Sequence, residues 1–178
     1  MALDMSKYIV KEAKPMPVIL LLDVSGSMSG SRIDDLNIAV YDMLKSFTTT
    51  EVQIQVSIIT FGAEVKLIMQ QQDAHAALTN WSNLSASGMT PLGTALTLAK
   101  DMVEDKEIVP SRCYRPLVVL VSDGEPTDSW EKPLQQFVSE GRSQKCDRMA
   151  MGIGADFNSN ILSKFIAGAS QTILALGC

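Results

Sequence analysis

Two stretches of the chain are continuously apolar, and each ends in a cluster of small polar and acidic residues. Val18-Ile19-Leu20-Leu21-Leu22 runs into Asp23, with Ser25 and Ser27 at the next alternate positions. Leu117-Val118-Val119-Leu120-Val121 runs into Ser122-Asp123-Gly124-Glu125. A short unbroken apolar run bounded by turn residues predicts a strand buried on both faces, the kind found at the centre of a parallel sheet. Elsewhere the periods are longer. Ile33, Leu36, Val40, Met43, Leu44 and Phe47 recur at helical spacing after Ser29-Gly30-Ser31, with Ser31 as the expected N-cap and Asp34 as an approximate capping-box partner. Val52, Ile54, Val56 and Ile58 alternate with polar residues and predict a period-two strand ending near Phe61-Gly62.

Val65 to Met69 follows closely enough, through Gly62-Ala63, to form a hairpin and hence one antiparallel strand at a sheet edge. A short helix is expected from Asp73 to Trp81, and Ser82 to Met89 reads as a loop. Thr90-Pro91 opens the next helix, with threonine as N-cap and proline at the first helical position; Leu92, Ala95, Leu96, Ala99, Met102 and Val103 line its buried face. Trp130, Leu134, Phe137 and Val138 mark a helix ending near Gly141, Met149 to Ile153 a strand, Asn160 to Ala167 a helix, and Thr172 to Leu176 a last strand. Strands alternating with helices predict one doubly wound α/β domain over 15–178, preceded by an extension over 1–14. The sheet is expected to have six mostly parallel strands, one antiparallel edge strand and helices on both faces.

Composition narrows the function. With 46% apolar and 20% charged residues the 178-residue chain is globular. A net charge of -5 argues against a general nucleic-acid binder, which needs a basic face to displace counterions. Three cysteines, Cys113, Cys146 and Cys178, form no C-x-x-C pair and accompany one histidine, which argues against a zinc site and for reduced thiols in a cytoplasmic protein. No stretch approaches the ~20 apolar residues of a membrane span, and no signal peptide is expected.

Open sheets bind ligands beyond the carboxyl ends of their strands. Asp23, Ser25, Ser27 and Asp123 fall there, and Thr90 opens a helix at the same rim. Their donors are all hard oxygens, which suit Mg2+, or Mn2+ or Ca2+, better than softer ions. Two carboxylates roughly neutralise such an ion, and weak hydroxyl ligands leave it an appetite for one more anionic oxygen. Met28 and Met89 flank these residues and, with Gly124 and Glu125, form an expected partner-binding rim. Taken singly, each residue has an ordinary structural role: an aspartate or serine in a turn, a threonine capping a helix.

Asp23-Val24-Ser25-Gly26-Ser27, Gly88-Met89-Thr90-Pro91-Leu92-Gly93 and Ser122-Asp123-Gly124 together resemble the three motifs of the von Willebrand factor A domain, D-x-S-x-S, a threonine and an aspartate, in order and spacing. The resemblance implies a metal-ion-dependent adhesion site. Ser25, Ser27 and Thr90 would ligate directly, Asp23 and Asp123 directly or through water, and a partner's glutamate or aspartate would complete the shell. The words Thr90-Pro91-Leu92-Gly93-Thr94-Ala95-Leu96 and Asp123-Gly124-Glu125-Pro126-Thr127-Asp128 look like the bacterial tellurium-resistance branch of TerY type. That branch implies a stress-response module with a kinase and a phosphatase as neighbours. The family usually closes with a helix after its last strand. Here that helix is missing, so an apolar face near Ile173 and Leu174 is expected, covered by residues 1–14 or by a second copy.

Three other readings compete. A metal-dependent phosphohydrolase would use Asp23 as nucleophile, but lacks an acid/base aspartate two residues on and any phosphate-cradling lysine motif. A serine hydrolase would need His75 as base to Ser27, without the G-x-S-x-G elbow. A passive scaffold with a vestigial site is the third.

Overall fold

The computed structural model describes residues 13–169 and the backbone of 173–176. The expectations for the extension before residue 13, for the side chains of Ile173 and Leu174, and for Cys178 lie outside the described residues. The elements are β1 (Met16–Asp23), α1 (Ser31–Phe47), β2 (Ile54–Phe61), β3 (Val65–Asp73), α2 (Ala74–Asn80), α3 (Leu92–Glu104), β4 (Leu117–Ser122), α4 (Glu131–Ser139), β5 (Asp147–Ile153), α5 (Ser159–Ile166) and β6 (Ile173–Leu176). Short 3₁₀ turns occupy Gly26–Met28 and Ser143–Lys145. Among the described residues, no helix is long and apolar enough to cross a membrane.

The strands form one sheet in the order β3-β2-β1-β4-β5-β6, parallel throughout except for β3, which runs antiparallel to β2 at the edge. The chain winds outward from β1 in one direction and, after β3, outward from β4 in the other. The topological switch point therefore lies between the carboxyl ends of β1 and β4, where such sheets carry their ligand sites.

Alternate residues of β1 and β4 face opposite layers, so both strands are apolar at every position before their polar last residues, Asp23 and Ser122. Ile19, Leu21, Val118 and Leu120 pack under α3, α4 and α5 with Leu96, Phe137 and Phe165. Val18, Leu20, Leu22, Val119 and Val121 pack under α1 and α2 with Leu36, Val40 and Leu44. At roughly 25 cal/mol per Å² of apolar surface removed from water, these two layers dominate the stability of the domain.

The structure departs from the sequence expectations at several ends. The strand ends at Phe61 as expected, but the period-two pattern of β2 does not become alternating burial: all of its residues but Gln55 are buried. It lies inside the sheet with helices on both faces, and its polar residues are accommodated individually. Ser57, for example, accepts the Gln71 amide at 3.0 Å, where β3 bulges and Gln71 takes φ 48°. Helix α1 begins at Ser31 with Gly30 (φ 82°) as its N-cap and no side-chain cap, so the Ser31–Asp34 capping box does not form.

Candidate functional site

Parallel pairing of β1 with β4 sets Leu22 beside Val121, so the next residues, Asp23 and Ser122, leave the sheet together. Asp23 is fully buried. Its Oδ1 accepts the Ser25 amide at 2.9 Å and its Oδ2 accepts the Ser122 hydroxyl at 2.6 Å. The turn that follows carries Ser25 Oγ to 3.1 Å from Ser27 Oγ, and Ser27 Oγ donates to Asp123 Oδ1 at 2.9 Å. A continuous run of hydrogen bonds, through the Ser25 amide and then from hydroxyl to hydroxyl to carboxylate, thus joins Asp23, Ser25, Ser27 and Asp123 across the gap between β1 and β4. Ser122, which opens the third motif but had no role there, is an integral member. A hydroxyl in a strand end carries no sequence signal until its neighbour strand is known.

Thr90 reaches the same rim by its backbone. Gly26 N donates to Gly88 O at 2.9 Å, Ser87 N to Val24 O at 2.8 Å, and Ala63 N to Ser87 O at 2.9 Å, stitching the 82–89 loop across the ends of β1 and β2. Gly88 sits at φ 82° with Ala63 backbone atoms 2.3 Å from where a Cβ would stand, so only glycine fits. Thr90 is buried, its amide donating to Thr127 Oγ1 at 2.9 Å and its carbonyl accepting the Thr127 amide at 2.9 Å.

Thr90 is not the N-cap of α3, however, and Pro91 is not its first residue. Pro91 is itself the N-cap residue and Leu92 begins the helix. The helix's orphan amides, Gly93 N and Thr94 N, are each capped at 2.9 Å by the Asp128 carboxylate, which arrives from the loop after β4. The caps follow from the loop's hold on Thr90, and they explain why Thr90-Pro91-Leu92-Gly93-Thr94 and Asp123-Gly124-Glu125-Pro126-Thr127-Asp128 occur together. Each word is half of one interlocked corner.

The rim differs from expectation in one respect. Met89 is 65% exposed and projects beside the site, whereas Met28 is fully buried. The 3₁₀ turn folds Met28 down into the layer beneath α1, so it supports the loop from below and presents nothing to a partner. Gly124 is half-buried with Ser27 Oγ 3.5 Å from where its Cβ would stand, and exposed Glu125 accepts a hydrogen bond from the Asn158 amide group. His75 is exposed in α2, which follows the Asp73 end of β3; Asp73 pairs with Gln55 at the amino end of β2. It lies at the opposite end of the sheet from Ser27, and the serine-hydrolase pair is not formed.

The electrostatics are unbalanced. Burial pushes the Asp23 carboxyl above its ordinary value of 3.8; hydrogen bonds from Ser122 and Ser25 pull it back, and the Asp123 charge pushes it further up. The nearest fixed cation is Arg32, which the sequence reading passed over because it lies in the polar face of α1. It donates to the second oxygen of Asp123.

A doubly wound sheet with the carboxylates of Asp23 and Asp123 and the hydroxyls of Ser25, Ser27 and Ser122 gathered at its switch point defines an α/β domain with an oxygen-rich candidate site. The model of the von Willebrand factor type A domain matches residues 18–175, and the chain belongs to that family. Inter alpha-trypsin inhibitor, heavy chain 4 of Mus musculus is 29% identical over 158 residues, 83% of this chain and 16% of that protein. This chain therefore spans about a sixth of the curated relatives it matches.

Among solved structures, a von Willebrand factor type A protein from Catenulispora acidiphila superposes with TM-score 0.69 at 18% identity, over 93% of this chain and 39% of that one. Proximal thread matrix protein 1 from the mussel byssus, with a zinc-occupied MIDAS motif, superposes with TM-score 0.68 at 16% identity, over 91% and 44%. At these identities the structures share the fold.

Proposed function

We propose that this domain is a divalent-metal-dependent protein-binding module. In this reading Ser25, Ser27 and Thr90 ligate the ion directly, Asp23 and Asp123 act directly or through water, and an acidic side chain of a partner completes the shell. The observation that carries it is the hydrogen-bonded run from Asp23 through the Ser25 amide, Ser25 Oγ and Ser27 Oγ to Asp123 at the switch point, which brings two carboxylates and two hydroxyls to one rim. The donor chemistry fits a hard divalent cation, Mg2+ first, with Mn2+ or Ca2+ as alternatives. The raised Asp23 carboxyl fits as well, since a buried charge without a counter-ion favours a cation beside it.

When bound, the ion would supply one electrophilic position for an anionic oxygen from outside. The chain's own residues do the rest. Ser122 and the Ser25 amide fix the Asp23 carboxylate, Ser27 orients Asp123, and the stitched 82–89 loop fixes Thr90. Exposed Met89 offers apolar contact beside the acid. The bacterial setting, a cytoplasmic stress-response and tellurium-resistance system with a kinase and phosphatase as partners, belongs to the same proposal and rests on the resemblance of the two flanking words.

The phosphohydrolase reading is disfavoured by a specific observation. Asp23 is fully buried with both oxygens engaged, which leaves it no line of attack on a phosphorus. Calorimetric titration of chelator-stripped protein with Mg2+, Mn2+, Ca2+ and Zn2+ tests the proposal. One binding event, abolished by Asp23→Ala and by Asp123→Ala, is expected. No binding of any of the four ions would sink it, and phosphoester turnover lost in Asp23→Asn would replace it with the enzyme.

A further inference from the structure

Arg32 is the second residue of α1, where the helix macrodipole disfavours a positive charge. Its guanidinium reaches the rim instead. Nη1 donates to Asp123 Oδ2 at 2.7 Å and Nη2 to Asp156 Oδ1 at 2.6 Å. The two carboxylates differ in kind: the Asp123 side chain is wholly buried, and that of Asp156, in the β5–α5 loop, is 74% exposed. The seat for the guanidinium is made by Gly154, at φ 84°, where a Cβ would stand 3.0 Å from Cζ, Nε and Nη2. A side chain there would crowd the guanidinium and adopt a strained backbone conformation. Asp123 therefore has one oxygen on Ser27, a residue of the metal site proposed above, and the other on a fixed cation.

We propose that Arg32 is a tethered cation that competes with the divalent ion for Asp123, with Asp156 as its alternative partner. The inference rests on the metal-site reading and adds a device that sets how tightly the site loads. Without an ion, Arg32 offsets the charge that Asp123 brings to a rim already carrying Asp23. With an ion, two positive centres would share one small carboxylate, and they repel at this range. A guanidinium has five donors in a planar fork, so Arg32 can give up Asp123 Oδ2 and keep Asp156. Asp156 is solvent-exposed, so strengthening that contact desolvates little. Asp156 thus draws Arg32 away from the site, and Arg32 holds metal affinity down.

Titration calorimetry with Mg2+ and Mn2+ on chelator-stripped wild type, Arg32→Gln, Arg32→Lys, Asp156→Asn and the Arg32→Gln/Asp156→Asn double variant tests this. Arg32→Gln should bind the ion about tenfold more tightly, the scale of a charge-assisted pair, and Arg32→Lys should fall between it and wild type. Asp156→Asn should weaken binding in the wild-type background and have no effect in the Arg32→Gln background, because Asp156 acts through the arginine. Unchanged or weaker binding in Arg32→Gln, or an Asp156→Asn effect of equal size in both backgrounds, overturns the proposal. The second outcome would mean plain through-space charge.

If Arg32→Gln fails to fold, as read by far-ultraviolet circular dichroism, Arg32→Lys and the exposed Asp156→Asn decide alone. Weaker binding in Asp156→Asn with tighter binding in Arg32→Lys supports the device, and any other pair of results refutes it. Metal binding that Asp23→Ala abolishes but that no Arg32 or Asp156 substitution alters removes this inference and leaves the metal site standing. Absence of binding in every variant removes both.

Discussion

Asp23 and Arg148 are buried charges at opposite ends of the sheet, and the fold treats them in opposite ways. Arg148, near the start of β5, is 1% exposed. Its Nε donates to the Phe165 carbonyl at 2.6 Å, Nη2 to that of Ala167 at 2.7 Å and Nη1 to that of Gln144 at 3.4 Å. Two of these carbonyls belong to the carboxyl end of α5, where the helix leaves acceptors unpaired and the dipole favours a cation. One guanidinium thereby satisfies a helix end and is itself satisfied. Asp23 has two neutral donors, and the neighbouring charge is another carboxylate. Burial lowers the Arg148 value and raises that of Asp23, the same cause acting with opposite sign. The difference lies in the partners: Arg148 meets three carbonyl acceptors within the chain, whereas Asp23 meets two neutral donors and a second carboxylate, the deficit that the proposed cation would fill.

Removing Arg148 tests the compensated end most severely. Arg148→Met should cost about 3 kcal/mol in urea unfolding, because the buried Phe165 carbonyl and the part-buried contacts to Ala167 and Gln144 lose their donor, and should leave metal affinity unchanged. The contrast would break if that variant were neutral. Asp23→Asn should act in the other direction. In chelator the variant should gain about 1 kcal/mol, or roughly 2–4 °C in Tm, and lose any rise in Tm on adding Mg2+. A loss of stability as large as that of Arg148→Met would show Asp23 to be structural.

The pH dependence sharpens the same contrast through Glu104. Burial would raise the Glu104 carboxyl, but Lys100 and the amides of Ser143 and Arg142 outweigh it and hold the group below its ordinary 4.5. A depressed folded value stabilises the protein above the unfolded pKa, and this is lost as pH falls through the folded value. Asp23 runs the other way. Below 3.8 the carboxyl is protonated in both states; as pH rises from there the unfolded chain ionises first, and stability falls until the raised folded value is passed. Denaturant midpoints across the carboxylate range, in chelator, should show the first slope vanish in Glu104→Gln and the second in Asp23→Asn.

A smaller effect is expected at the corner between the two flanking words. Asp128→Ala should cost about 1 kcal/mol, the scale of a lost helix cap. The smallest effect is chemical. Burial pushes the Cys146 thiol up to about 12, while Cys113 is half-buried. A thiol reagent on the native protein should label Cys113 before Cys146, with Cys146 reacting only on unfolding.

Most of the fold was legible because its signals are local. A strand covered on both faces is mostly apolar, which is why residues 18–22 and 117–121 stood out and pointed to the rim beyond their carboxyl ends before any pairing was known. β2 gave no such signal, because Ser57 and Thr60 are polar in the sequence but buried in the sheet. Met28 was misplaced because a methionine after a serine-glycine turn reads the same whether the turn folds it inward or outward.

The site divides along the same line. The sequence by itself determined the two-layered α/β core, the oxygen donors Asp23, Ser25, Ser27, Thr90 and Asp123, and their place at element ends, because strand burial and turn chemistry are written in consecutive residues. Only the tertiary structure decided that Ser122 holds Asp23, that Asp128 caps α3, and that Arg32 spans Asp123 and Asp156. Those partners lie 99, 35, 91 and 124 residues apart. A hydrogen bond depends on distance in space, and nothing in the local pattern of a lone serine or arginine records which loop the fold will bring beside it.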